Sequence, residues 1–129
     1  MDQLNEKTTI LLVDDDETVL GVGSLMIQKF GYKVLQATSG MEAVQIVQDN
    51  VSDICLVILD EKLPDKFGTD ICKKLKEFEP DIKVLHTSGL GKSLADEGLE
   101  CGCEAFLRKP FRIAELSDKL KEMLKTIPE

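Results

Sequence analysis

No run in this 129-residue chain approaches the ~18 consecutive apolar residues of a membrane-spanning helix, and residues 1–9 are polar and acidic rather than basic and then apolar. Neither a membrane segment nor a secretory leader is expected, and the chain reads as cytoplasmic. Positive charge is scarce: 16 Lys and Arg stand against 24 Asp and Glu, a formal charge of −8. Such a field repels phosphate backbones and anionic lipid, so direct nucleic-acid or membrane binding is not expected. Low-complexity tracts, short repeats, nucleotide-binding glycine boxes and a DNA-binding helix pair are also missing. Cysteine amounts to Cys55, Cys72, Cys101 and Cys103, expected as reduced thiols because a core this size needs no staples. Cys101 and Cys103 have ligand-like spacing, but no second pair completes a tetrahedral zinc site.

What is present is a regular alternation of short β-branched or Leu-rich runs with longer segments of helical period. That pattern predicts a single α/β domain that buries about two-thirds of its unfolded surface. Strands are predicted at 9–13, 33–37, 54–59, 83–87 and 105–108. The first, third and fourth are apolar almost throughout, as central parallel strands covered on both faces should be. The first helix, 17–30, offers Val19, Val22, Met26, Ile27 and Phe30 on one side, and Asp16 and Glu17 are placed to start it. Ser39 and Glu42 have capping-box spacing for a helix to about residue 48. A third, 67–77, buries Ile71, Cys72 and Leu75. A short fourth helix is predicted at 93–100. The last presents Ile113, Leu116, Leu120, Met123, Leu124 and Ile127 as one stripe. The domain spans residues 9–125, with a disordered tail at 1–8 and a second tail at 126–129.

In open α/β sheets, ligands bind at the carboxyl ends of the strands. After the first strand come Asp14, Asp15 and Asp16. Asp60 and Glu61 follow the third, Ser88 lies at the end of the fourth, and Lys109-Pro110 follow the fifth. Two carboxylates ~5 Å apart repel by roughly 1–3 kcal/mol, so three together require a compensating cation. Oxygen donors of this kind suit Mg²⁺, which keeps open positions for a phosphoryl oxygen. Cys55 and Cys72 read as small core residues. His86, inside an apolar strand, reads as a satisfied core imidazole.

The runs ILLVDDDETVL at 10–20, LVILDEKLPDKFG at 56–68, VLHTSG at 84–89 and AFLRKPF at 105–111 together closely resemble the receiver domain of two-component response regulators (CheY-like). The resemblance implies a flavodoxin-like, five-stranded parallel sheet in order 2-1-3-4-5 with helices on both faces. It assigns Asp60 as phospho-acceptor, Ser88 as Ser/Thr switch, Phe106 as aromatic switch and Lys109 as phosphate-contacting lysine. Asp14 and Asp15 match the acidic metal pair, with Asp60 and the Lys62 backbone carbonyl completing the Mg²⁺ (or Mn²⁺) ligands. Lys62 and Leu90 occupy positions that tune phosphate lifetime. The implied donor is a histidine kinase or histidine phosphotransfer protein. A downstream protein target would read the surface of the fourth helix, fifth strand and fifth helix, on a monomer or a phosphorylation-dependent dimer. Such a chain is a phospho-accepting signalling domain rather than an enzyme, either free-standing or part of a hybrid kinase or multidomain regulator. Lys66 and Phe67 depart from the common motif, which usually has an apolar and then a polar residue there, and Phe106 stands where many relatives carry Tyr.

Two other classes fit parts of the pattern. Asp14-Asp15-Asp16-Glu17-Thr18 also satisfies the D-x-D-x-T motif of haloacid-dehalogenase-type Mg²⁺-dependent phosphatases, with Asp14 as nucleophile. A flavodoxin-like carrier of flavin mononucleotide shares the winding, but three aspartates replace the phosphate-cradling loop that a flavin requires.

Overall fold

The computed structural model describes residues 8–88 and 103–124. In chain order these form β1 (Thr9–Val13), α1 (Glu17–Lys29), β2 (Lys33–Ala37), α2 (Gly40–Asp49), β3 (Ile54–Asp60), α3 (Gly68–Phe78), β4 (Lys83–Ser88), β5 (Ala105–Arg108) and α4 (Ile113–Leu124). The strands make one parallel sheet in the order β2-β1-β3-β4-β5, the winding the resemblance implies. The expected helix at 93–100, Leu90, Cys101, Ile127, the tail 126–129 and all but Thr8 of the tail 1–8 lie outside the described residues.

Continuous apolar strands produce a core on each side of the sheet, because successive side chains alternate between faces. Leu11, Val13, Val57, Leu59 and Val84 pack with Ala43, Val44 and Val47 of α2 and Ile71, Cys72 and Leu75 of α3. On the other face, Ile10, Leu12, Leu56, Ile58 and Leu85 meet Leu20 and Ile27 of α1 and Leu116, Leu120, Met123 and Leu124 of α4. Cys72 is a core residue as expected, while Cys55 is only half-buried.

Helix ends follow local chemistry. Asp16 caps α1, its carboxylate accepting from Thr18 N–H at 2.8 Å and Val19 N–H at 3.3 Å. At the other end Gly31, with φ 97°, supplies the left-handed residue of a Schellman closure. There Tyr32 N–H donates to Ile27 O and Gly31 N–H to Gln28 O. Ser39 Oγ accepts from Glu42 N–H at 3.1 Å, as the capping-box spacing requires. The return bond is displaced by one residue: Glu42 Oε1 accepts from the N–H and the hydroxyl of Thr38 rather than from the Ser39 N–H.

Two expected faces need correction. Val22 is 48% exposed, and α1 instead buries Leu20, Gly23, Ser24 and Ile27. Small residues win that face because the helix lies close to β1: a β-carbon on Gly23 would come within 2.9 Å of Leu12 Cδ2. Ile113 is 53% exposed at the first turn of α4, so that stripe begins at Leu116. Ile27→Ala should therefore cost about 2–5 kcal/mol in urea unfolding, whereas Val22→Ala should stay within about 0.5 kcal/mol. Equal losses would contradict this orientation of α1.

Candidate functional site

The strand order places the carboxyl ends of β1 and β3 side by side where the winding reverses, and β4 and β5 continue the same edge. Asp14 and Asp15 leave β1, Asp60 ends β3, Ser88 ends β4 and Lys109 leaves β5. Carboxylate oxygens of Asp14, Asp15 and Asp60 lie within 4.8 Å of one another. Lys109 Nζ reaches Asp14 Oδ2 at 2.8 Å and Asp60 Oδ1 at 3.3 Å. Residues 95 positions apart thus form one cluster, as the pattern of strand ends predicts.

Backbone contacts fix each group. Asp14 N–H donates to Ala37 O at 3.1 Å, and its Oδ1 accepts from Asp16 N–H at 2.9 Å. Lys109 N–H donates to Ser88 O at 2.8 Å, and the Lys109–Pro110 peptide bond is cis. Asp14 is only 2% exposed with both oxygens engaged, whereas Asp15 is exposed. A nucleophile needs a free oxygen, so this arrangement disfavours Asp14 in that role.

Charge in the cluster is not balanced. Burial pushes Asp60 above the ordinary aspartate pKa; Lys109 opposes the shift, while Asp14 and Asp15 add to it. Burial alone would lower Lys109, but its hydrogen bond to Asp14 and the charges of Asp60 and Asp14 outweigh that and hold the ammonium above its usual pKa. One cation among three acids leaves room for another. All-oxygen donors at this spacing fit a hard divalent ion, with Asp15 facing solvent as its entry side.

The turn after Asp60 is held at several points. Glu61 N–H donates to Thr87 O at 2.9 Å, and Gly68 N–H donates to Glu61 O at 2.7 Å. Lys62 bridges Phe67 across the turn. Asp65 reaches α2, accepting from Gly40 N–H at 2.8 Å and Met41 N–H at 3.0 Å, and these bonds hold its pKa below the ordinary range. Lys66 is exposed and Phe67 is 56% exposed, so the two departures from the common motif point away from the core. Gly68 admits no side chain: a β-carbon there would lie 2.4 Å from Asp60 O.

Lys62 is exposed, and Phe106 is half-buried on β5 in register with His86. His86 is fully buried as expected, but it is not satisfied. Its Nε2 lies 2.7 Å from Glu61 Oε1 without hydrogen-bond alignment, and Nδ1 has no partner among the described residues. Burial lowers its pKa to about 4, leaving the ring neutral at pH 7. The Glu61–His86 approach and the Asp65 tether went unpredicted. A sole histidine beside the end of an apolar strand was the available signal for the first.

Residues 10–121 match the family model described as the response regulator receiver domain. The chain is 34% identical over 122 residues to sporulation initiation phosphotransferase F of Bacillus subtilis, covering 94% of this chain and 95% of that protein. It is 33% identical to sensor kinase CckA of Brucella abortus over 94% of its own length, but spans only 13% of that kinase. Among solved structures, a CheY-like receiver domain protein from Methanospirillum hungatei superposes with a TM-score of 0.87 at 28% identity, covering 94% of this chain and 96% of that one. A CheX–CheY–BeF₃–Mg²⁺ complex from Borrelia burgdorferi superposes with a TM-score of 0.84 at 26% identity, covering 88% and 87%.

The raised pKa of Asp60 has a stability consequence with a definite sign. Its ionised form is disfavoured by folding, so the stability linked to it is complete below the ordinary aspartate pKa and is lost as pH rises through the folded value. Without metal at pH 7, Asp60→Asn should unfold at a higher temperature than the parent, and the gap should close below about pH 4. Calorimetry across that range checks it; a gap independent of pH would contradict the charge imbalance.

Proposed function

The chain belongs to the response regulator receiver domain family, and from that premise we propose that Asp60 accepts a phosphoryl group from a phosphohistidine. The observation that carries the reading is the convergence of Asp14, Asp15, Asp60 and Lys109 at one sheet edge. A carboxylate oxygen of Asp60 attacks phosphorus in line, and the P–N bond breaks with its electron pair passing to the donor imidazole. Lys109, already 3.3 Å from Asp60 Oδ1, offsets charge on the phosphoryl oxygens. Bound Mg²⁺ (or Mn²⁺), held by Asp14, Asp15, Asp60 and the Lys62 carbonyl, would supply electrostatic stabilisation of those oxygens.

The acyl phosphate adds negative charge at a buried edge. Ser88, at the end of β4, then hydrogen-bonds it, and Phe106 turns into the space released. The change biases a two-state surface formed by the segment after β4, β5 and α4, which a protein target reads. The donor is a histidine kinase or histidine phosphotransfer protein, a reading supported by the kinase and phosphotransferase named among the relatives. Water later removes the phosphoryl group, with Lys62 and Leu90 setting the rate. A monomer or phosphorylation-dependent dimer, a cytoplasmic setting, and either a free-standing regulator or a place within a hybrid kinase or multidomain regulator belong to this proposal.

Two measurements test it. Given a small phosphodonor and Mg²⁺, the parent should gain one acid-labile acyl phosphate, and Asp60→Asn or removal of Mg²⁺ by chelation should abolish it. Labelling that persists in Asp60→Asn overturns the assignment. Lys62→Ala should change the phosphate half-life by several-fold, with Mg²⁺ affinity near that of the parent; an unchanged decay rate refutes the role of its side chain.

A further inference from the structure

The mechanism leaves His86, the sole histidine of the chain, without a task. Its side chain is wholly buried on β4, in register with Leu59 of β3 on one side and Phe106 of β5 on the other. An imidazole that has lost water without gaining an aligned hydrogen bond is costly to keep. Its neighbours are not neutral scenery. A β-carbon on Gly68 would fall 2.7 Å from His86 Nε2 and 2.4 Å from the Asp60 carbonyl oxygen, so the ring and the Asp60 backbone both close on the same glycine. Glu61, whose carboxylate lies 2.7 Å from that nitrogen, joins Asp60 to Lys62. The Glu61 backbone is itself held through its N–H to Thr87 O and its carbonyl to Gly68 N–H, so its side chain leaves from a fixed point of the turn.

Building on the reading of Asp60 as acceptor, we propose that His86 and Glu61 are a positioning pair. Their contact closes into an aligned hydrogen bond when the site is loaded and fixes the turn that carries the Asp60 carboxylate and the Lys62 carbonyl. Neutral His86 in its Nε2–H tautomer is the donor, and the Glu61 carboxylate the acceptor. Because Phe106 is the next residue in register, the same ring conveys the state of the turn to the aromatic position by a route that bypasses Ser88.

A single histidine gives a single imidazole signal, so nitrogen-15 NMR of the full chain at pH 7 needs no variant. Addition of Mg²⁺ and beryllofluoride should move Nε2 to a protonated, hydrogen-bonded position and slow exchange of its proton. In Glu61→Ala that movement should be lost and Mg²⁺ binding weakened about tenfold, with the thermal midpoint of the metal-free chain little changed. Glu61→Gln keeps an acceptor oxygen and should recover most of both effects. Beryllofluoride bound in the parent, seen by fluorine-19, with His86 unmoved overturns the pair and leaves the acceptor reading standing. A parent that binds no beryllofluoride overturns both. Full Mg²⁺ affinity in Glu61→Ala likewise overturns the pair.

Discussion

The constraint on which the site depends is electrostatic: three carboxylates share one edge of a parallel sheet with, among the described residues, the single ammonium of Lys109 between them. Nothing in the chain's overall charge of −8 relieves that crowding. The fold tolerates it by spending backbone contacts on the acids, tying Asp14 to Asp16 and Ala37 and setting Lys109 against Asp14. A protein organised for stability alone would replace one of these aspartates with a neutral residue. Retaining all three leaves the edge with an excess of negative charge around Lys109.

The sheet makes this possible because its central strands are packed on both faces. Buried on both faces, β1 and β3 have little freedom to shift, so side chains at their ends inherit fixed positions. Lys109 follows the four-residue edge strand β5 and is anchored through Ser88. The site is therefore divided between β1 and β3, which hold the acids, and β4 and β5, which carry Ser88, Phe106 and the lysine that follows. That division suits a module in which a local reaction must alter a surface without disturbing the core.

Much of this was legible in the residues. Strands with unbroken apolar runs identified themselves, and the acids, serine and lysine at their ends identified the edge, because position along a strand is a one-dimensional property. The winding order came with the family resemblance. What escaped depended on approach in space. The buried face of α1 was misjudged because Val22 is more hydrophobic than Gly23, whereas proximity to Leu12 favours the smaller residue. Strand bounds at Asp60 and Ser88 ran one residue longer than expected, since ladder hydrogen bonding takes no account of side-chain polarity. Glu61 and His86 are 25 positions apart, and no periodicity links them. Lys66 and Phe67 looked disruptive by type, yet both face outward.

Asp65 gives the turn beyond Asp60 a second anchorage. By bonding the first two amides of α2, it ties the turn to the start of that helix. The turn is thereby tied to α2 through Asp65 and to β4 through the Glu61 N–H bond to Thr87 O, so the segment that carries Asp60 is braced from both neighbouring elements.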